Sequence, residues 1–326
     1  MAKVRVAVLC GGRSGEHEIS LRSSESILKG LDPAKYDVQR IFITPEGRWE
    51  PKPILPEPNA NGDIDVVFPI LHGTFGEDGT VQGLLELAGL AYVGPGVLAS
   101  AAAMDKDVLK RLLSERGIPV VEYQTVLRGR YDAASLASKF PYPVFVKPAN
   151  LGSSVGISKV KRPEDLAAAL DHAAEFDRKI IVERGIVGRE FECSVMGNDD
   201  PIAAIPCEVL PSREFYDYED KYLLDTAKTL LPAPLEPEQT NEIRRIAVEA
   251  YSAAGCEGMS RVDFLMEAAT GKLYVNEINT IPGFTSISMF PKMWEAAGVP
   301  FGTLLDRLIE LALERHRAKA ATRYKR

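Results

Sequence analysis

Short apolar runs and helical stripes alternate along the first part of the chain. Residues 3–10 are an apolar run with two basic positions, Lys3 and Arg5, near its start, and they are followed by Gly11-Gly12-Arg13-Ser14-Gly15. The segment from Glu16 to Leu21 then opens a helix. A strand over 36–44, a Pro-rich loop over 51–62 and a second apolar run, 65–71, follow, with a helix over 80–89. Strand and helix alternating up to Tyr92 predict a parallel, doubly wound N-terminal α/β domain. Val93-Gly-Pro-Gly96 marks its end. Beyond it, one helix carrying Met104-Asp105-Lys106 and an apolar stripe at Val108, Leu109, Leu112 and Leu113 is expected to run to Gly117. Strands over 122–127, 142–147 and 179–183 and a helix over 163–176 form a central region. Strands over 190–196 and 202–209 and a helix over 238–254 begin a third. In a last helix over 301–316, Leu304, Leu305, Leu308 and Leu311 share one face, which reads as core.

The most informative pattern lies around a turn, Glu267–Lys272, with Gly271 at its tip. Side chains alternate faces along a strand, so Arg261, Asp263 and Leu265 share one face. The same rule puts Leu273, Val275, Glu277 and Asn279 on one face of the second strand. Pairing about the turn sets Asp263 opposite Glu277 and Arg261 opposite Asn279. Two carboxylates and a carboxamide are hard oxygen donors suited to Mg²⁺, which binds through one or two carboxylates plus substrate phosphates. The competing reading is a solvated, charged hairpin face. Pro282-Gly283 favours the site, because a glycine there lets backbone approach a ligand closely.

Composition narrows the field. A chain of 326 residues, 45% hydrophobic and 26% charged, suits two or three soluble globular domains. A formal charge of −7 argues against nucleic acid as the main partner. No apolar run reaches membrane-spanning length, and the apolar start passes into Gly11-Gly12 without a signal-cleavage site. Cys10, Cys193, Cys207 and Cys256 are scattered and form no CxxC pair, as expected of reduced cytoplasmic thiols. The four histidines lack metal spacing, so zinc is not expected.

Other stations carry chemistry. Glu16 lies at the carboxyl end of a parallel strand, where open α/β sheets bind ligands. It is read either as a helix-dipole partner or as a carboxylate for an ammonium group. His72, in His72-Gly-Thr-Phe-Gly-Glu-Asp-Gly79, is either a ligand-facing donor or a loop histidine satisfying backbone groups. Lys147-Pro148 followed by Gly152-Ser153-Ser154-Val-Gly156 offers free N–H groups, hydroxyls and a point charge. That composition fits phosphate cradling without Walker A spacing. The aromatic, charged stretch 215–223, with Lys221 and Tyr222, reads as an ordered lid.

Taken in order, Lys106, Lys147-Pro, Gly152-Ser-Ser, Arg261-Val-Asp263 and Glu277-Ile-Asn279 resemble the ATP-grasp ligases. The runs Leu9-Cys-Gly-Gly, Gly15-Glu16-His-Glu-Ile-Ser, Leu71–Gly79 and Pro282-Gly-Phe-Thr-Ser-Ile-Ser288 extend the likeness over nearly the whole chain, closest to the D-alanine–D-alanine ligases. The resemblance implies a three-domain ATP-grasp fold, with domains over 1–95, 96–186 and 187–326 and ATP between the last two. Lys106 and Lys147 would contact the α- and β-phosphates, and the loop 152–155, with Ser154, would close over the γ-phosphate. Glu183, Arg184 and Ile186 would line the adenine pocket, with Glu190 at the ribose and Lys221 also at the nucleotide. Asp263, Glu277 and Asn279 would hold two Mg²⁺ or Mn²⁺ ions, with K⁺ a further candidate.

Glu16 would take the ammonium of a first D-alanine, linked through Ser153 to Tyr222. Arg261 and the Gly283 N–H would face the reacting carbonyl. His72 would also face substrate, and Ser288 with Met289 would hold the carboxylate of a second D-alanine. A cytoplasmic homodimer serving peptidoglycan synthesis is implied. The neighbouring readings are a D-alanyl-D-lactate or D-alanyl-D-serine ligase, a biotin- or glutathione-type ATP-grasp enzyme, and an ATP-binding regulator without turnover. Lys221-Tyr222 argues against the lactate branch, Gly-Glu16-His-Glu-Ile-Ser against the second group, and the full donor set against the regulator.

Overall fold

The computed structural model describes residues 2–153, 155–210 and 228–323. The first sheet consists of β1 (Val4–Gly11), β2 (Tyr36–Ile43), β3 (Trp49–Glu50), β4 (Val66–Pro69) and β5 (Ala91–Tyr92). Parallel strands covered on both faces read as unbroken apolar runs. Accordingly, Val6–Gly11 of β1 and all of β4 are buried. The order is β3-β2-β1-β4-β5, parallel except for β3. This is the doubly wound arrangement expected from the alternating pattern.

The glycine turn after β1 depends on one backbone position. Gly11 has φ +88°, and a Cβ there would lie 2.2 Å from the Ile43 carbonyl oxygen, which accepts the Gly12 N–H at 2.8 Å. Gly11→Ala therefore combines left-handed strain with a backbone clash. We expect it to lower stability by at least ~2 kcal/mol, read as a shift of the urea midpoint at unchanged m-value.

The second sheet, β6 (Tyr123–Leu127), β7 (Val144–Pro148), β8 (Ser158–Val160) and β9 (Lys179–Arg184), is antiparallel in the order β6-β9-β7-β8. The helix Leu166–Phe176 covers it through Leu170 and Ala173, against Val144, Val146 and Val182. The third sheet contains β10 (Gly188–Gly197), β11 (Ile202–Ala203), β12 (Cys207–Leu210), β13 (Lys228–Leu230), β14 (Gly258–Glu267) and β15 (Leu273–Asn279). Its path is β13-β12-β10-β14-β15, with β11 beside β10. The helix Pro237–Ala253, started by a capping box between Glu236 and Gln239, packs on it.

The helix expected to carry Met104 through to Gly117 is two helices, Val97–Met104 and Lys106–Glu115. Asp105 breaks it. Its backbone is extended and its carboxylate accepts the N–H groups of Asp107 and Val108, both at 3.1 Å, so it caps the second helix. The apolar stripe also differs from its sequence pattern. Leu109 and Leu113 are buried, but Leu112 is exposed and Lys110 is buried instead. Both helices pack through Ala99, Ala103, Leu109 and Leu113 into the core of the third sheet. The C-terminal helices Met289–Ala296 and Phe301–Ala320 return to the first sheet, where Trp294, Leu304 and Leu308 share a core with Val6 and Phe68.

The four cysteines are buried and unbridged, and burial pushes the Cys193 and Cys256 thiols up to about 12. Among the described residues no helix is long and apolar enough to cross a membrane.

Candidate active site

The pairing of β14 with β15 sets Asp263 opposite Glu277 and Arg261 opposite Asn279, as the turn predicts. The expected common face for Leu273, Val275, Glu277 and Asn279 does not form. Phe264 pairs with Val275 while Asp263 pairs with Glu277, so Asn276 is an extra residue in a β-bulge. Alternation changes phase there. Leu273, Val275 and Ile278 enter the apolar core. Asn276 and Glu277, adjacent in sequence, both line a cleft between the second and third sheets.

That cleft gathers Lys106, Lys147, Asp263 and Glu277, and also Arg184, Ile186 and Glu190. Lys106 is buried at the start of its helix, with its ammonium donating to the Leu151 carbonyl. Lys147 ends β7, where its Nζ donates to Asn276 Oδ1 at 3.4 Å and lies 3.1 Å from Glu183 Oε2. The other Glu183 oxygen takes Lys110 Nζ at 3.2 Å. Lys110 and Glu183 are 1% and 2% exposed, so this is a fully buried ion pair shared with Lys147. Burial alone would raise the Glu183 carboxyl. The ammonium groups of Lys110 and Lys147 outweigh burial and hold it below the ordinary value. Burial lowers Lys110 in turn, partly offset by Glu183. The Glu183 carboxylate, expected to face adenine, is thus committed to two lysines. Arg184 is tied to the third sheet by Glu267 at 2.7 Å and the Tyr274 hydroxyl at 3.1 Å.

Arg261 holds both oxygens of Asp263 at 2.7 Å and lies 3.3 Å from Glu192, while Asn279 Nδ2 donates to Asp263 at 2.9 Å. Two carboxylates and a carboxamide stand on one strand-pair face, and among the described residues no group of three or more His, Cys, Asp and Glu is arranged to hold a metal ion by itself. This donor set fits a hard divalent cation whose remaining positions are taken by phosphate oxygens and water.

Leu151 and Gly152 connect this cleft to two further pockets. One contains Glu77, Lys106, Glu277 and Asn279; the other contains Glu16, Gly73 and Ser153. Glu16 is buried at the start of the helix His17–Gly30 and accepts a short hydrogen bond from the Ser153 hydroxyl. Ser153 has φ +53°, an uncommon conformation for a residue with a side chain. Gly283 lies against Ser288, and a Cβ there would stand 2.6 Å from Ser288 Oγ. Ser288 Oγ accepts the Thr285 N–H at 3.0 Å and precedes the helix Met289–Ala296. The Met289 side chain is buried in the core, so it offers this region only backbone.

His72 is buried, with Nδ1 3.0 Å from the Ile281 carbonyl oxygen and Nε2 3.2 Å from Ser23 Oγ. Both ring nitrogens are engaged within the chain. Ser154, Lys221 and Tyr222 lie outside the described residues.

Sequence reasoning missed Glu77, Lys110, Asn276 and Ser23. Lys110 had a usable signal, because it follows Lys106 by four positions and so shares its helix face. Glu77 stood inside a run already marked by its glycines. Asn276 and Ser23 gave no signal, since a bulge and a helix–loop contact are both tertiary.

With this geometry in hand, comparisons with known proteins become specific. Family models described as D-ala D-ala ligase N-terminus and C-terminus match residues 5–63 with 52–95, and residues 112–310, respectively. The chain is 64% identical to a D-alanine–D-alanine ligase of Solibacter usitatus over 99% of this chain and 100% of that one. It is 46% identical to D-alanine–D-alanine ligase A of Escherichia coli K12, covering 98% and 99%. Among solved structures, the D-alanine-D-alanine ligase of Coxiella burnetii superposes with a TM-score of 0.87 at 40% identity, covering 98% and 97%. A D-Ala:D-Ser ligase of Enterococcus faecalis superposes with 0.88 at 37% identity, covering 95% and 100%.

Proposed function

Since the chain belongs to the D-alanine–D-alanine ligase family, with its ATP-grasp fold, we propose that it joins two D-alanines at the expense of ATP for cell-wall synthesis. The supporting observation is the run of three adjoining pockets from the lysine-lined cleft to Glu16. A nucleotide phosphate tail and a small amino acid can meet there.

A carboxylate resists attack by an amine because its leaving group would be oxide. In the proposed sequence the first D-alanine carboxylate attacks the γ-phosphorus and ADP leaves, giving an acylphosphate. The second amine then attacks the acyl carbon, loses its proton, and inorganic phosphate departs with the electron pair of the C–O bond. Glu16 accepts the first ammonium and is held in place by Ser153. Lys106 and Lys147 neutralise phosphate charge, with the loop 152–155 above. Asp263, Glu277 and Asn279 would hold Mg²⁺ or Mn²⁺, which when bound shields the phosphate oxygens and aligns the transfer. Arg261 and the Gly283 N–H face the developing oxyanion, where loss of one preorganised donor costs ~3 kcal/mol. Ser288 and the N–H of Met289 receive the second carboxylate. Tyr222 and Lys221 are assigned to the lid that shields the acylphosphate from water. Assembly as a cytoplasmic homodimer belongs to the same proposal.

The likeness to the D-Ala:D-Ser ligase favours one second reading, in which D-serine is the second substrate. Phosphate release from Mg-ATP with D-alanine alone, or with D-alanine plus D-serine or D-lactate, followed by product mass, separates the two. D-alanyl-D-alanine as the dominant product in equimolar mixtures is the expected result. Dominant D-alanyl-D-serine establishes the alternative. No phosphate release with any of these substrates, despite ATP binding, would overturn both.

A further inference from the structure

The loop carrying Gly283 is held from the first sheet's side by hydrogen bonds of a defined polarity. Phe284 N–H donates to Ser23 Oγ at 3.2 Å, and Ser23 Oγ lies 3.2 Å from His72 Nε2. His72 Nδ1 lies 3.0 Å from the Ile281 carbonyl oxygen, which can only accept. Nδ1 must therefore carry the imidazole proton, and Nε2 accepts the Ser23 hydroxyl proton. The Ile281 N–H donates to Glu77 Oε1 at 3.2 Å, and the other Glu77 oxygen takes the Gly73 N–H at 2.6 Å. Thr280 Oγ1 adds a bond to the Glu77 carbonyl at 3.3 Å. Ser23 is fully buried and His72 nearly so. Burial lowers the His72 pKa, favouring the neutral ring that this polarity requires.

We infer that Ser23, His72 and Glu77 are positioning residues, a clamp that pins the peptide units of Ile281 and Phe284 on either side of Gly283 and so aims the Gly283 N–H. The inference rests on the proposed role of that N–H at the oxyanion. It gives His72 a function that needs no contact with substrate. It also couples two parts of the reaction: the loop 72–77 packs beside Glu16, and a Cβ on Gly73 would lie 2.5 Å from a Glu16 oxygen. The group that receives the first ammonium and the group that receives the oxyanion are thus registered by one set of bonds.

The test is Ser23→Ala in the full chain, with His72→Ala as a second variant that removes the bond to the Ile281 carbonyl. Hydrogen exchange by mass spectrometry is read on a peptide covering 280–285, alongside kcat and the KM for ATP. Exchange about tenfold faster in that peptide is expected, because a lost bond worth ~1.4 kcal/mol gives that factor. With it kcat should fall ~10- to 100-fold at an ATP KM within about twofold of the parent, the signature of a displaced group rather than a lost nucleotide contact. Unchanged exchange in both folded variants overturns the clamp. Faster exchange with kcat unchanged also overturns the proposal, and places the fault in the role given to the Gly283 N–H.

Discussion

Glu277→Ala leaves a folded protein that no longer ligates. Glu277 points away from the apolar core, opposite Asp263, and its removal halves the carboxylates available to a divalent cation. Asp263 alone leaves a single carboxylate, whose oxygens also serve Arg261 and Asn279. A cation that shields phosphate oxygens supplies several kcal/mol of transition-state stabilisation, so turnover should fall at least ~1000-fold. Glu277→Gln, which keeps the shape and a neutral oxygen, should recover little of it. The thermal midpoint should move by less than ~3 °C, because the substituted side chain fills no core position. Phosphate release and a circular-dichroism melt on the same preparation provide the check. Activity within tenfold of the parent would remove the metal assignment.

The largest effect on stability is expected at Lys110. Replacing it with Met keeps the volume and removes a buried ammonium, leaving Glu183 with Lys147 alone. Breaking a buried pair from one side costs ~3–5 kcal/mol, and the remaining lysine puts Lys110→Met near the lower end. Its nucleotide affinity should also drop, since Lys147 would be drawn toward the uncompensated carboxylate and away from the cleft. Adding Glu183→Gln should restore part of the stability by removing the stranded charge. Urea titration of the single and double variants decides the matter. If the single variant unfolds at the parental midpoint, the pair does not stabilise the fold.

Much of this was legible from the chain because its local patterns agree with its tertiary ones. The first sheet is readable because β1 and β4 are covered on both sides, which demands continuous apolar runs that no helix of that length would share. The hairpin partners Asp263 and Glu277 follow from a turn with glycine at its tip. What escaped was decided across elements. Lys110, outside the expected apolar stripe, is buried because Glu183, more than seventy positions away, neutralises it. The break at Asp105 competes with a helix-favouring neighbourhood and prevails through its carboxylate. His72 was ambiguous because its partners, Ser23 and Ile281, come from opposite ends of the chain.

The bulge at Asn276 divides β15 into two segments of opposite phase, and this fixes which parts of the hairpin can vary in length. Removing Asn276 would restore simple alternation with Leu273, Val275 and Ile278 still facing the core and Glu277 still facing the cleft, so the bulge is the place in this strand where a residue can be lost without turning a segment over. Elsewhere between Leu273 and Asn279, an inserted or deleted residue moves the side chains on one side of it to the opposite face. The neighbouring turn over 268–272 is exposed and has no such phase to keep. Engineered length changes there, such as an inserted peptide tag, should preserve ligation, whereas a single residue inserted between Glu277 and Asn279 should abolish it.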